Sequence, residues 1–307
     1  MLIHGEKLSM DKLKEKLLVL YRKLSGYFEK HKKLIKLLGR IVSIAAVIYV
    51  IYTAYTMILK LNQSFLTTEL IFPLILIISV TTFTIFVYSY SYFLILKEQS
   101  QKKISVSEVV YMYGTSNIYK YLPSNVMHYV GRNMLAKKYD IEQKKVLKAT
   151  ILEIVNVVVV TIAFCFINYL LYRKQYIITV IVFALFILVT HRFKLSKNFL
   201  LIFITTTINN LVVVYLYNFY NGTSLFGGFE QISIIQSVSW LAGFVVPGAP
   251  GGIGIKEFVM VKIGTKQFSA ILSIVAVMQR LILIAGDFIA YAILQIKNKT
   301  VGERYGK

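Results

Sequence analysis

The chain has 307 residues, is 57% hydrophobic, has a mean hydropathy of +0.65 and carries a formal charge of +21. That composition excludes an ordinary soluble globule and points to a polytopic membrane protein. In such a chain the basic excess belongs to cytoplasmic loops facing anionic headgroups, and no basic stretch sits in a nucleic-acid reading module, so no nucleic-acid partner is expected.

Residues 1–40 are rich in lysine, and Leu13, Leu17, Leu20, Leu24, Tyr27, His31, Leu34 and Leu38 follow an alternating 4,3 spacing. The stripe suits a coiled-coil seam or, preferably, a cytoplasmic amphipathic helix lying on the inner leaflet. The stretch is too long for the charged region of a cleavable signal. Charge-poor runs, each near the roughly 20 residues that a crossing needs, follow at 41–59, 70–96, 149–172, 175–190, 199–220 and 270–296. The run 175–190 is the shortest. The predicted organisation is a first membrane half, 41–172, a second half, 173–296, and a cytoplasmic tail, 297–307.

Lysine and arginine place 1–40, 97–148, 191–198 and 297–307 inside, and loops 60–69 and 221–231 outside. Arg173 and Lys174 are a mild exception. With the tail inside, segment 232–266 must enter and leave on the outer face. It contains Pro247-Gly248-Ala249-Pro250-Gly251-Gly252-Ile253-Gly254-Ile255-Lys256-Glu257. Proline removes a backbone donor and glycine loosens a helix, so this break must be covered by protein or line a watery cavity. A second irregular segment, 104–135, contains Tyr121-Leu122-Pro123 and Gly131-Arg132 on the cytoplasmic side. Each half then reads as span, span, re-entrant segment, span. Three crossings per half give the halves opposite orientations. The expected fold is therefore an all-α polytopic membrane protein with about six full transmembrane helices and two re-entrant or broken segments, arranged as an inverted repeat.

Candidate chemistry follows from the same map. Cys165 is the single cysteine, and His4, His31, His128 and His191 are scattered, so no disulfide framework, metal site or cofactor is expected. Glu153 follows Pro123 by 30 residues and Arg280 follows Pro250 by 30. These opposite charges at equivalent positions are expected to approach each other, or a shared ligand, near the pseudo-twofold axis. The plainer alternative has Glu153 snorkelling at a helix end near Lys148. Pro250, Gly251, Gly252 and Gly254 mark the break, and the glycines allow close backbone approach. A helix beginning near Ile253 would aim free N–H groups at an anion. Arg132 and Arg280 suit a phosphate clamp, and Glu153, Glu257 and Asp287 suit holding those arginines or meeting a cationic headgroup. Glu257 also suits the first turn of a helix, where it stabilises the dipole. Tyr119, Tyr121 and Tyr129 are candidates for lining a lipid path.

Tyr121-Leu122-Pro123 with Gly131-Arg132, Pro247 with Pro250-Gly251-Gly252-Ile253-Gly254-Ile255-Lys256-Glu257, and Arg280-Leu281 with Gly286-Asp287 together resemble the membrane domain of lysylphosphatidylglycerol synthases, the multiple peptide resistance factors and their stand-alone relatives. The resemblance extends over nearly all of the chain after residue 40, although Ser124 stands where many relatives have glycine. It implies a lipid flippase domain without the soluble domain that transfers lysine from its tRNA to phosphatidylglycerol.

The expected function is movement of an anionic or aminoacylated phospholipid, or a lipid-linked glycan, between leaflets of a bacterial cell membrane, with both termini cytoplasmic. A non-transporting partner of an envelope lipid- or polysaccharide-modifying system is the alternative, and an intramembrane headgroup transferase is a third reading. Membrane lipids are the expected partners, alongside an envelope-biosynthesis protein or a second copy of the chain. No nucleotide-binding loop is present in the sequence, and no catalytic constellation of serine or cysteine with histidine is apparent.

Overall fold

The computed structural model describes residues 55, 68–100, 103–121, 126–192, 196–246, 252, 254–264 and 266–304. The amphipathic segment 1–40, the run 41–59 apart from residue 55, and Pro250 and Gly251 lie outside them. Among the described residues the chain is all-α, with no strand. Helices α1 (Thr68–Gln99), α2 (Val106–Asn117) and α3 (Met127–Ala136) lead to α4 (Gln143–Tyr172) and α5 (Tyr176–Arg192). Then come α6 (Ser196–Asn221), α7 (Phe229–Val245), α8 (Ile255–Ile263) and α9 (Lys266–Arg304). Short 3-10 turns at Ile118–Tyr121 and Lys137–Tyr139 close α2 and α3.

Four helical stretches are long and apolar enough to cross a membrane: Thr68–Gln99, Gln143–Tyr172, Lys197–Asn221 and Ile271–Asn298. They correspond to four of the expected crossings. The run expected at 175–190 forms α5, an apolar helix of 17 residues. At 1.5 Å per residue it is about 26 Å long, short of a hydrocarbon core of about 30 Å. Only Thr179 and Thr190 of α5 are buried, and Ile177 is 79% exposed, so the helix presents apolar surface nearly all round.

The spans tolerate many polar residues because the side chains bond their own helix. On α6, Thr205 and Thr207 donate to carbonyls one turn back, as do the amides of Asn209 and Asn210, at 2.8–3.1 Å. Such back-bonding removes most of the cost of a hydroxyl or amide in an apolar setting. Two apolar clusters organise the packing. One joins Leu70 and Ile77 of α1 to Val213, Leu216, Ile232, Met260, Leu272 and Val275 from the C-terminal helices. The other gathers Tyr92, Leu96, Val109, Met112, Ala136 and Ala149 around α2 and α3. Between them along α1 lies a layer of buried polar residues, Thr81, Thr82, Thr84 and Ser89.

The element order long helix, interrupted pair, long helix occurs twice, as α1, α2–α3, α4 and as α6, α7–α8, α9. Both interruptions fall where the sequence carries its proline and glycine. Helix α2 begins with a capping box read directly from Ser105-Val106-Ser107-Glu108: the Glu108 N–H donates to Ser105 Oγ at 3.2 Å, and the Ser105 N–H donates to Glu108 Oε2 at 3.0 Å. At the second break, Gly252 has φ +70° and Gly254 φ +86°, a region that L side chains rarely enter. A Cβ on Gly252 would lie 3.2 Å from the Gly243 backbone on α7, so glycine here lets the returning chain touch the helix it has just left.

Candidate functional site

A cavity of about 310 Å³ lies in the polar layer, bounded by both interrupted pairs and by α1, α4, α6 and α9. Arg132, Glu153, Gly252, Arg280 and Asp287 line it, and Glu257 lies immediately behind Arg280. The structure therefore brings the sequence-nominated charges to one place, although their pairing differs from the simplest expectation.

Glu153 and Arg280 share the cavity, but each has an ionic partner from its own half. Arg132 Nη1 donates to Glu153 Oε2 at 2.5 Å, and Tyr113 donates its hydroxyl to Glu153 Oε1 at 2.7 Å. The guanidinium carbon of Arg132 lies 4.0 Å from the Tyr113 ring centre and 4.4 Å from that of Tyr92. Arg132 is 1% exposed. A cation so deeply buried is tolerable only with a carboxylate and π-faces around it. Glu153 is thus a buried partner and not a snorkelling helix-end charge.

The second pair has reversed polarity: the acid stands on the short helix and the base on the long one. Arg280 Nε donates to Glu257 Oε1 at 3.0 Å. The other oxygen, Oε2, accepts from the Gly254 N–H at 2.7 Å. Glu257 therefore holds the arginine and closes the first turn of α8, and the two roles foreseen for it coexist.

Asp287 gathers a third group. It accepts from Asn117 Nδ2 at 2.6 Å and from the Tyr121 hydroxyl, and it pairs with Lys120 Nζ at 2.6 Å. These contacts tie α9 to the end of α2. Tyr121 and Tyr129 line the cavity, while the ring of Tyr119 packs against Gly131.

Lys256 is the functional candidate that sequence reasoning passed over. Its side chain is buried, lines the cavity and donates to Gln279 Oε1 at 2.8 Å. Among the described residues no carboxylate lies within ion-pair distance of it. Lys256 lies outside the four spans. Burial pushes its ammonium down to about 8; nearby Arg280 and Lys120 push the same way, and Glu257 opposes them. His128, on α3, is held neutral, with its pKa lowered to about 3 by burial and by Arg132 and Lys120.

Several lining residues carry a buried polar atom with no hydrogen-bond partner among the described residues: Asn210 Oδ1, Gln236 Oε1, Ser237 Oγ, His128 Nδ1 and Arg132 Nε. No group of three or more metal-ligating side chains occurs among the described residues. Comparison with known proteins found no matching family model, no matching curated protein and no matching solved structure.

Proposed function

We propose that this chain is an integral membrane lipid translocator that carries a charged headgroup through a site between its two interrupted helix pairs. The cargo class is an anionic or aminoacylated phospholipid or a lipid-linked glycan, as the resemblance to the lysylphosphatidylglycerol synthase membrane domain implies. The observation that carries the reading is the cavity's charge: among the described residues the cations Lys120, Arg132, Lys256 and Arg280 face three carboxylates, Glu153, Asp287 and Glu257. The surplus positive charge, Lys256, is buried beside a helix break and among helices long enough to cross a bilayer. A single phosphodiester would neutralise it. A buried surplus cation is costly in a purely structural role and useful in an anion path.

The proposal includes an inverted repeat in which α2–α3 and α7–α8 are re-entrant pairs. Its support is the packing. If α1, α2, α3 and α4 are matched to α6, α7, α8 and α9, contacts exchange in step. Helix α1 packs on α9 as α6 packs on α4, and α2 packs on α9 as α7 packs on α4. The pair that would straddle the axis, α1 and α6, is in contact with itself exchanged. Such a plan offers two related packings of one site, which alternating access requires.

The test is reconstitution in liposomes with fluorescent phosphatidylglycerol and lysyl-phosphatidylglycerol, read as transbilayer movement. Movement above empty vesicles that Arg280→Ala and Glu257→Ala abolish in folded protein is the expected result. No movement of either lipid or of a lipid-linked sugar would instead favour a membrane scaffold for an envelope-modifying enzyme.

A further inference from the structure

We infer that the headgroup this cavity selects is a neutral polyol, glycerol or a single sugar, joined to one phosphodiester, and not an aminoacylated, cationic group. The inference rests on the translocator reading and narrows its cargo. Each cavity carboxylate is already engaged: Glu153 by Arg132 and Tyr113, Asp287 by Lys120 and Asn117, Glu257 by Arg280 and the Gly254 N–H. A lysyl ammonium could gain a carboxylate partner only by breaking one of these pairs, leaving a protein cation buried and unpaired.

Three other lining residues have the complementary property. Asn210, Gln236 and Ser237 are 3%, 4% and 2% exposed; each lines the cavity and carries a buried side-chain oxygen with no hydrogen-bond partner among the described residues. A buried, unmatched polar atom costs free energy until a ligand supplies its partner. Hydroxyl groups both donate and accept, so a polyol satisfies these residues whichever way the two amides are turned. Trp240, on the same helix one turn beyond Gln236, also lines the cavity; its ring lies parallel to Phe244, with centroids 5.4 Å apart. Lys256 supplies the charge for the phosphate. A volume of about 310 Å³ sits at the low end of small-molecule sites, roughly 300–1,000 Å³, which suits a headgroup without its acyl chains.

Trp240 is the chain's single tryptophan, so its fluorescence reports on this cavity directly. Purified full-length protein would be titrated with short-chain phosphatidylglycerol, phosphatidylmethanol, lysyl-phosphatidylglycerol and a short prenyl phosphoglucose. Phosphatidylmethanol keeps the phosphodiester and lacks the polyol. The expected order places phosphatidylglycerol or the phosphoglucose roughly tenfold tighter than phosphatidylmethanol, equivalent to one or two hydrogen bonds, with the lysyl lipid weakest. Whichever of the first two binds tighter identifies the source of the polyol. Gln236→Leu should remove the preference, weakening phosphatidylglycerol and phosphoglucose binding toward that of phosphatidylmethanol. Ser237→Ala, a smaller change, should move it in the same direction. Equal binding of phosphatidylglycerol, the phosphoglucose and phosphatidylmethanol, or tightest binding of the lysyl lipid, overturns the inference. Movement in liposomes without this preference leaves the translocator standing and removes the polyol; the preference without movement does the reverse.

Discussion

The two interrupted helix pairs solve the same problem with opposite charges and different exposure. In the first, Arg132 on α3 is buried against Tyr113, Tyr92 and Glu153. In the second, Glu257 on α8 meets Arg280, whose side chain is 15% exposed, with Lys256 alongside. The first pair is a closed lock in which every charge faces a fixed partner. Both pairs reach the cavity, but the second leaves its arginine more exposed and has the surplus cation Lys256 beside it. Burial thus separates a fully enclosed charge pair from one whose arginine stays partly exposed, although the two stand at related positions along the chain.

The sharpest way to break that contrast is at Arg132. Arg132→Ala leaves Glu153 buried without its cation, which typically costs about 3–5 kcal/mol. Chemical or thermal unfolding of the purified protein should show a loss of that size, much larger than that for Arg280→Ala. The double change Arg132→Met with Glu153→Leu should recover most of it, because an apolar pair of similar volume carries no stranded charge. Equal losses at Arg132 and Arg280 would remove the distinction between lock and ligand-facing pair.

The surplus charge gives the next largest effect. The Lys256 ammonium, lowered to about 8 chiefly by burial, is mostly protonated at pH 7 and mostly neutral at pH 9. An anion bound through it should be held more weakly as pH rises through 8. Affinity for short-chain phosphatidylglycerol should fall roughly tenfold by pH 9, the protonated fraction expected one unit above the pKa. Lys256→Met should bind weakly at both values with no slope between them. A slope that persists in this variant would assign the titration to another group.

Much of this arrangement was legible in the sequence, to a depth that physics sets. Long apolar runs are a local property, so α1, α4, α6 and the last span follow from hydropathy alone. The breaks follow from Pro123, Pro250 and the glycines around them, because backbone donors and φ values are local as well. Arg132, Glu153, Glu257, Arg280 and Asp287 stand out because a charge in an apolar stretch is costly. Which charge meets which is not local. Equal spacing suggested that Glu153 faces Arg280, whereas α3 packs on α4 and α8 on α9, so each charge finds its partner within its own half. Lys256 was overlooked because a lysine beside a glutamate at a helix start looks solvated. Only the packed structure shows that it points at Gln279 from a buried position. The shortness of α5 was also partly visible, since its run was the briefest of the series.

The smallest effect separates the two roles of Glu257. One oxygen closes the first turn of α8 through the Gly254 N–H, and the other holds Arg280. Helix α3 lacks this device: its capping residue, Val126, makes no side-chain cap bond. Glu257→Gln keeps an amide oxygen able to accept from Gly254 and gives up the charge, whereas Glu257→Ala loses both. Capping contacts of this kind contribute about 1 kcal/mol, so the glutamine variant should unfold later than the alanine variant by about that amount. Both variants lack the carboxylate that positions Arg280, so both should be impaired in lipid movement. Equal stability of the two would mean that the backbone at Gly254 holds its turn unaided. Normal movement in the glutamine variant would mean that Arg280 needs only a neutral acceptor, and the charge reversal between the two halves would then be a feature of folding alone.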